Sequence, residues 1–312
     1  MPRAELVVDI VLATYNGGAF VAQLLSSISR QTYRNWRLVI RDDGSRDGTI
    51  EILRAFRDDH PERTVLLEDG LGNLGVRHNF ALLARMTESN YVMFADQDDI
   101  WLPDKIEASL ATMRAIDADG QTPVLVHSDL RVVDADGRLI APSFWKYRAL
   151  DPFGGSVFRR LLVQNTVTGC ATMVNRALLD KSLPIPRAAI MHDWWMGLTA
   201  AAFGRIHPIA CQTVLYRQHG GNSIGAQQWV ARLLKEASRG VGHLREQIVR
   251  TQVQAQAFVE AHGSALPVEV SEQARQYALL GTLDPLRRRV RALRKRYAYS
   301  DAIRTLGFYL LM

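Results

Sequence analysis

Over its first 125 residues the chain alternates short β-rich runs with amphipathic helical stretches. No other feature restricts the possible folds as much. Strands are expected at Val7–Leu12, Arg37–Ile40, Val65–Leu67, Tyr91–Ala95 and Val124–His127. Helical patterns fall between them at Phe20–Ser29, Thr49–Phe56, Asn79–Met86 and Pro103–Ile116. In the last of these, Pro103 suits the first helical position, and Ile106, Leu110 and Met113 recur at i, i+4 and i+7 on one face. Such alternation predicts an α/β fold, a mostly parallel sheet with helices on both faces. Ligands of such sheets sit beyond the carboxyl ends of the strands, which is where the polar motifs of this chain fall.

Residues 128–225 are less regular, with turn signals at 134–137 and 151–155 among apolar and aromatic pieces. From Gln227 the pattern turns helical: Trp229, Val230, Leu233, Leu234 and Ala237 share one face. Further stretches follow at Leu244–Val259 and Val270–Leu280, and then a basic tail. The expected organisation is one body over residues 1–225 and a C-terminal helical extension over 226–312.

Composition matters mainly for what it excludes. With 312 residues, 47% hydrophobic and 22% charged, the chain is outside the disordered, collagen-like and disulfide-rich classes. The apolar run from Leu6 to Ala13, broken by Asp9, is too short and polar for an export signal or membrane span. Cys170 and Cys211 allow one bridge at most, and reduced thiols in a cytosolic compartment are the expectation. The net charge of +6 is local: residues 287–312 carry +7, which leaves the other 286 residues at −1. A near-neutral body argues against a broad nucleic-acid-binding face.

Three segments carry chemistry in the first half. Thr14-Tyr15-Asn16-Gly17-Gly18 follows the first strand, a glycine turn offering an aromatic face. Asp42-Asp43-Gly44-Ser45-Arg46-Asp47-Gly48-Thr49 follows the second, and Asp96-Gln97-Asp98-Asp99 the fourth. Asp-Gly pairs alone are ordinary turns and caps. Carboxylates crowded at a strand end, however, repel one another unless a cation or donor groups compensate. An Asp-x-Asp spacing of hard oxygen ligands suits Mg²⁺ or Mn²⁺, with water and phosphate completing the shell. The bland alternative is an exposed acidic turn.

In order and spacing these segments resemble family 2 glycosyltransferases of GT-A fold, over about residues 7 to 225. The resemblance implies a nucleotide-sugar-binding half over 1–125 and an acceptor half over 126–225. It implies that Thr14, Tyr15 and Asn16 line the donor site, that Tyr15 stacks near the base and that Asp43 contacts the base edge. Asp96 would lie by the ribose, and Asp98 would hold the metal that bridges the diphosphate. Asn73-Leu-Gly75-Val-Arg77-His78-Asn79 is similar to the family's Asn-x-Gly segment, so Asn73 and Arg77 join the donor residues; a loop followed by a helix N-cap at Asn79 is the plainer reading.

Met191-His192-Asp193-Trp194-Trp195 places an acid among aromatics, a setting that raises a carboxylate's pKa and basicity. An N-cap at Asp193 is the alternative. In the family this motif usually reads Glu-Asp, with Asp as the general base. That role falls to Asp193, with His192 in reserve and His192, Trp194 and Trp195 on the acceptor side. The His-Asp-Trp-Trp form looks like the subgroup containing bacterial rhamnosyltransferases. Gly169-Cys170-Ala-Thr172 resembles that subgroup's strand lining the acceptor side, with Cys170 read as a small buried filler. In Tyr216-Arg217-Gln218-His219-Gly220-Gly221-Asn222-Ser223, Arg217 and His219 could close over the leaving diphosphate, or His219 could be a metal ligand.

The basic tail suits an anionic membrane surface, and an enzyme on the cytoplasmic face of the plasma membrane acting on a lipid-linked or cell-surface glycan. Snorkelling surface arginines are the alternative. The resulting expectation is an inverting, Mg²⁺- or Mn²⁺-dependent glycosyltransferase using a dTDP- or UDP-sugar, with L-rhamnose from dTDP-rhamnose favoured. Its rivals are a sugar nucleotidyltransferase and a non-catalytic nucleotide-sugar-binding protein.

Overall fold

The computed structural model of the chain describes residues 6–154, 157–219 and 229–312, the side chains of 229–241 and 243 excepted. Strand β1 (Val8–Thr14) pairs in parallel with β2 (Trp36–Asp42) on one side and β4 (Tyr91–Asp96) on the other, and β3 (Thr64–Leu67) lies outside β2. Beyond β4 come β8 (Thr172–Asn175), β6 (Val124–Val133), β9 (Arg205–Arg217) and the two-residue β5 (Ile100–Trp101); β7 (Leu139–Ala141) pairs with β6. Strands β3, β2, β1, β4, β6 and β9 run in one sense, and β8, β5 and β7 oppose their neighbours.

Alternate residues of the parallel strands enter two separate cores. Val11, Val39, Val92 and Phe94 point to one face, while Ile10, Leu12, Leu38, Ile40, Met93 and Ala95 point to the other. That is the period-two consequence of a sheet covered on both sides. Helices α1 (Val21–Ser29) and α4 (Lys105–Ile116) cover the second face through Leu24, Ile28, Ile106 and Leu110. Between them in sequence come α2 (Thr49–Asp59) and α3 (Val76–Arg85). Helix α3 joins the first face, together with α6 (Val157–Val163), α7 (Arg176–Ser182) and α8 (His192–Phe203), while α5 (Phe144–Tyr147) packs on the second.

Several expectations are corrected here. Helix α4 opens at Lys105 behind Asp104, so Pro103 precedes the helix. Asn79 lies inside α3, whose N-cap is Gly75; it is buried and donates to the Arg41 carbonyl at 3.3 Å. The irregular middle contains a 13-residue strand, β9, that crosses Pro208. Proline lacks a ladder donor and is tolerated where one side of a strand is unpaired. The short β5 meets β9 only at Val214 and Leu215, well past Pro208. The two helical stretches after Gln227 are one helix, α9 (Trp229–His262). It is followed by α10 (Val268–Ala278), α11 (Pro285–Arg294) and α12 (Ala302–Leu311). The expected face from Trp229 to Ala237 lies outside the described side chains. Ile248, Ala255, Phe258, Tyr277, Tyr297 and Phe308 join the core of the first face, so these helices share the body's interior. Cys170 and Cys211 are unbridged.

Asp9, which interrupts the first apolar run, is fully buried. Its carboxylate accepts two hydrogen bonds from Arg37, both at 2.9 Å, and the N–H groups of Glu88 and Ser89 at 2.9 and 3.0 Å. Burial opposes its ionisation, but Arg37 and the two amides outweigh that and hold the carboxyl below its ordinary value. An uncompensated buried charge is among the costliest defects a fold can carry. Asp9→Asn is therefore expected to lower the unfolding free energy at pH 7 by about 3 kcal/mol in urea titrations. The depressed pKa contributes stability that is complete above the unfolded value and lost as pH falls through the folded one. The difference between wild type and variant should thus shrink below roughly pH 4.

Candidate functional site

Parallel register aligns the ends of three strands: Thr14 lies opposite Asp42, and Ala13 opposite Asp96. The loops after β1, β2 and β4 therefore leave the sheet side by side. In the first, Asn16 adopts a positive φ of 49°; its Oδ1 accepts the Arg46 N–H at 2.9 Å, and its own N–H donates to Ser45 at 2.7 Å. The buried Thr14 hydroxyl donates to Asp42 at 2.8 Å, and Asp42 also accepts the N–H groups of Gly44 and Ser45. Thr14 and Asn16 are thus engaged in shaping the turn, which presents Tyr15, 51% exposed, as its outward face. Gln97, absent from the sequence expectations, brackets Tyr15: its side chain accepts the Tyr15 N–H at 2.8 Å and donates to the Tyr15 carbonyl at 3.0 Å. A side chain at Gly17 would run into that amide.

Asp43 is 2% exposed. Its Oδ1 accepts from Arg41 at 2.6 Å and from the Leu74 N–H at 2.7 Å; its Oδ2 accepts the Gly75 N–H at 2.8 Å. One acceptor position of Oδ2 is left for a ligand. Asn73 donates to the Asp43 carbonyl and accepts the Gly75 N–H, tying the same loop. Arg77 reaches the Ala189 carbonyl in the second half of the chain.

The acids after β4 meet the end of β9. Pairing of Ile100 with Leu215 and Trp101 with Val214 brings the loop of Asp98 and Asp99 beside Arg217 and His219. His219 Nε2 lies 2.9 Å from Asp98 Oδ2, so the two expected metal residues face one another. Asp96, partly exposed, is raised to about 7, first by burial and then by the charges of Asp98 and Asp193. Asp99 is completely buried and pushed well above its ordinary value by burial and by Asp98; its Oδ1 accepts the Arg217 N–H at 3.1 Å and its Oδ2 has no partner. Lys105, also missed in the sequence, lies fully buried over Trp101 at 4.7 Å, lowered to about 8 by burial and still chiefly protonated at pH 7.

The oxygens of Asp96 and Asp99 lie together, one of the Asp99 oxygens without a partner, beside the separate Asp98–His219 pair; hard oxygen and imidazole donors of this kind suit Mg²⁺ or Mn²⁺. Cys170 Sγ is within 4.8 Å of oxygens of Asp96 and Asp99. Burial and those two charges push its thiol well above the ordinary value, which keeps it a neutral filler rather than a ligand.

Arg217 differs from expectation. It is 2% exposed, donates to the Asp98 carbonyl at 2.8 Å, to Gln23 at 2.6 Å and to the Ala135 carbonyl, and lies over the Phe20 ring. With its donors turned inward it braces the acidic loop instead of closing over a diphosphate. Residues 220–223, expected to form a moving loop, lie outside the described residues.

Asp193 is the second residue of α8 behind Met191, so it is not an N-cap. Gly169 donates its N–H to Asp193 Oδ2 at 2.9 Å, Trp194 its own to Oδ1 at 2.6 Å, and the Asn165 side chain also donates. Burial outweighs these donors and raises Asp193 to about 6. His192 is 2% exposed between Phe80 and Phe94, with ring centroids 4.2 and 5.2 Å away, and neither ring nitrogen has a partner. Burial lowers it to about 3, which leaves a weak base and favours Asp193. Trp195, 1% exposed, packs on Phe258 of α9 and donates to the Ser182 carbonyl at 3.0 Å; its place is the core, which removes it from the acceptor side. Trp194 is half-buried and donates to the Leu161 carbonyl at 2.6 Å. Asn165 carries no spacing signal, because only the packing of the 165–171 segment on α8 brings it to Asp193.

A model of glycosyl transferase family 2 matches residues 9–183, more than half of the chain. The UDP-Glc:α-D-GlcNAc-diphosphoundecaprenol β-1,3-glucosyltransferase WfgD of Escherichia coli is 27% identical over 215 residues, covering 66% of this chain and 74% of that protein. The dTDP-rhamnosyl transferase RfbG of Shigella flexneri is 26% identical over 230 residues, covering 69% and 74%. The solved structure of the mannosyltransferase PcManGT from Pyrobaculum calidifontis with GDP-Man and Mn²⁺ superposes with a TM-score of 0.54 at 17% identity, over 98% of this chain and 88% of that one. The chain belongs to glycosyl transferase family 2, a glycosyltransferase of GT-A fold that takes its sugar from a nucleotide sugar.

Proposed function

We propose that the chain is an inverting, divalent-cation-dependent transferase that moves L-rhamnose from dTDP-rhamnose to a lipid-linked or cell-surface glycan. The observation that carries the reading is that Asp193 stands near enough to Asp96 for its charge to add to the rise of that carboxyl. Asp193 takes the proton from an acceptor hydroxyl as that oxygen attacks the anomeric carbon in line, and the bond to the nucleoside diphosphate breaks on the opposite side. Asp98 and His219, with Asp96 and Asp99 behind them, would hold the cation, which offsets the charge of the departing diphosphate. Tyr15 offers the flat face for the base, Asp43 its remaining acceptor, and Asp96 lies toward the ribose. The likeness to RfbG supports rhamnose, and that to WfgD supports a diphospholipid-linked acceptor.

Asp98→Asn is expected to abolish metal-dependent turnover. Asp193→Asn should remove transfer, by at least about a hundredfold for loss of a general base, while donor binding measured by calorimetry is retained. Wild-type rates in both variants would overturn the assignment. A base raised to about 6 must be deprotonated to work, so kcat/KM should fall with an acid limb near pH 6. A panel of dTDP-rhamnose, UDP-glucose and other nucleotide sugars, scored for the leaving product, tests the donor. Release of a nucleoside diphosphate fits a transferase, whereas pyrophosphate release would indicate a nucleotidyltransferase.

The same reading places the enzyme on the cytoplasmic face of the plasma membrane. No helix among the described residues is long and apolar enough to cross a membrane. Helices α11 and α12 nevertheless expose Leu286, Val290 and Leu293, and Ile303, Leu306 and Leu310, beside the seven cations of 287–296. Apolar contact next to clustered cations suits an anionic bilayer surface. Because Phe308 and Met312 belong to the core, deletion of the tail would disturb the fold. The test is instead Leu286→Ser and Leu306→Ser with Arg287→Glu and Arg294→Glu. This variant should no longer float with anionic vesicles, and unchanged flotation would overturn the membrane role.

A further inference from the structure

Helix α3, the 183–191 segment and α9 meet in one corner. Arg77 on α3 donates to the Ala189 carbonyl. From the other side Gln254 on α9 accepts the Ile190 N–H at 2.7 Å. Arg250 precedes Gln254 by one helical turn and shares its face, while Arg187 is two residues before Ala189. Three guanidinium groups are therefore gathered around one short segment. Burial, and then the charges of Arg250 and Arg187, hold Arg77 below its ordinary value. Among the described residues no carboxylate pairs with any of the three; the acids that face cations here, such as Asp9, Asp43 and Asp69, belong to Arg37 and Arg41.

Two donors in this corner have no acceptor: Arg77 Nε and Gln254 Nε2, both buried. Gln254 is 1% exposed, and its orientation is set by the Ile190 amide that its oxygen accepts. Buried N–H groups without acceptors are costly, and uncompensated guanidinium groups favour a bidentate oxyanion. The segment they surround continues directly into His192 and Asp193. An anion held here would stand beside the helix that carries the general base.

We propose that Arg77, Arg187 and Arg250, with the Gln254 amide, bind a phosphate or diphosphate ester of the acceptor and so present its sugar hydroxyl to Asp193. This rests on the transferase reading above. It moves Arg77 from the donor, where the sequence resemblance placed it, to the acceptor.

The test is calorimetric titration of inorganic diphosphate, farnesyl diphosphate and UDP in EDTA, so that a cation at Asp98 cannot carry the anion. Wild type should bind inorganic and farnesyl diphosphate. Arg187→Glu with Arg250→Glu, at two exposed positions, should weaken both by roughly tenfold or more without shifting the thermal midpoint, as expected for lost charge-assisted hydrogen bonds. Arg187→Lys with Arg250→Lys should recover part of the affinity, and Asp98→Asn should bind like wild type. Equal binding by the Glu variant, or none by wild type, would overturn the subsite. If UDP competes with diphosphate and weakens in the same variant, the anion belongs to the donor and the acceptor assignment fails. Metal-dependent donor turnover is measured separately. Its absence alongside arginine-dependent diphosphate binding would overturn the transferase reading and leave the anion site standing; its presence without diphosphate binding would do the reverse.

Discussion

The loop of Asp96–Asp99 keeps its shape because Arg217 reaches into it from the end of the last strand. One guanidinium secures the Asp98 carbonyl, the Ala135 carbonyl and the Gln23 side chain, while the Arg217 amide answers Asp99. Three acids crowded at one end of a sheet repel one another, and repulsion alone would spread them. The guanidinium bonds carbonyl oxygens, so it fixes the loop while setting one positive charge beside the acids. Crowding and burial show instead in the raised pKa values of Asp96 and Asp99.

Around that brace the site is assembled from segments far apart in the chain. Parallel register brings the first three loops together, and the β5–β9 pairing delivers His219 to Asp98. A glycine at 169, close enough to His192 that a Cβ would stand 3.1 Å from its ring, lets a main-chain amide reach Asp193. The long α9 then holds the segment that precedes α8. In this way the C-terminal helices take part in the body's architecture instead of trailing behind it.

How much of this was legible depends on range. The alternation of strands and helices in the first half is a local property, and its elements appear with boundaries shifted by a few residues. The polar motifs at strand ends could be read for the same reason. Long-range pairing could not. In the run from Arg205 to Arg217 Pro208 argues against a strand, and pairing with β6 and β5 makes it one. Arg217 reads as a mobile cation until its guanidinium is seen turned inward, and Trp195 reads as a binding aromatic until α9 covers it. Lys105, Gln97 and Asn165 stand at positions whose meaning comes entirely from what the fold sets beside them.

The reciprocal hydrogen bonds between Gln97 and the main chain of Tyr15 have a thermodynamic consequence. Gln97 lies between Asp96 and Asp98, so the Tyr15 turn and the acidic loop are one mechanical unit. On the proposed roles, a ligand that orders either part would order the other, and linkage would make the help mutual. A nucleotide without its cation, or a cation without its nucleotide, would then meet a less ordered site. Any cooperativity between the two would run through a single amide side chain.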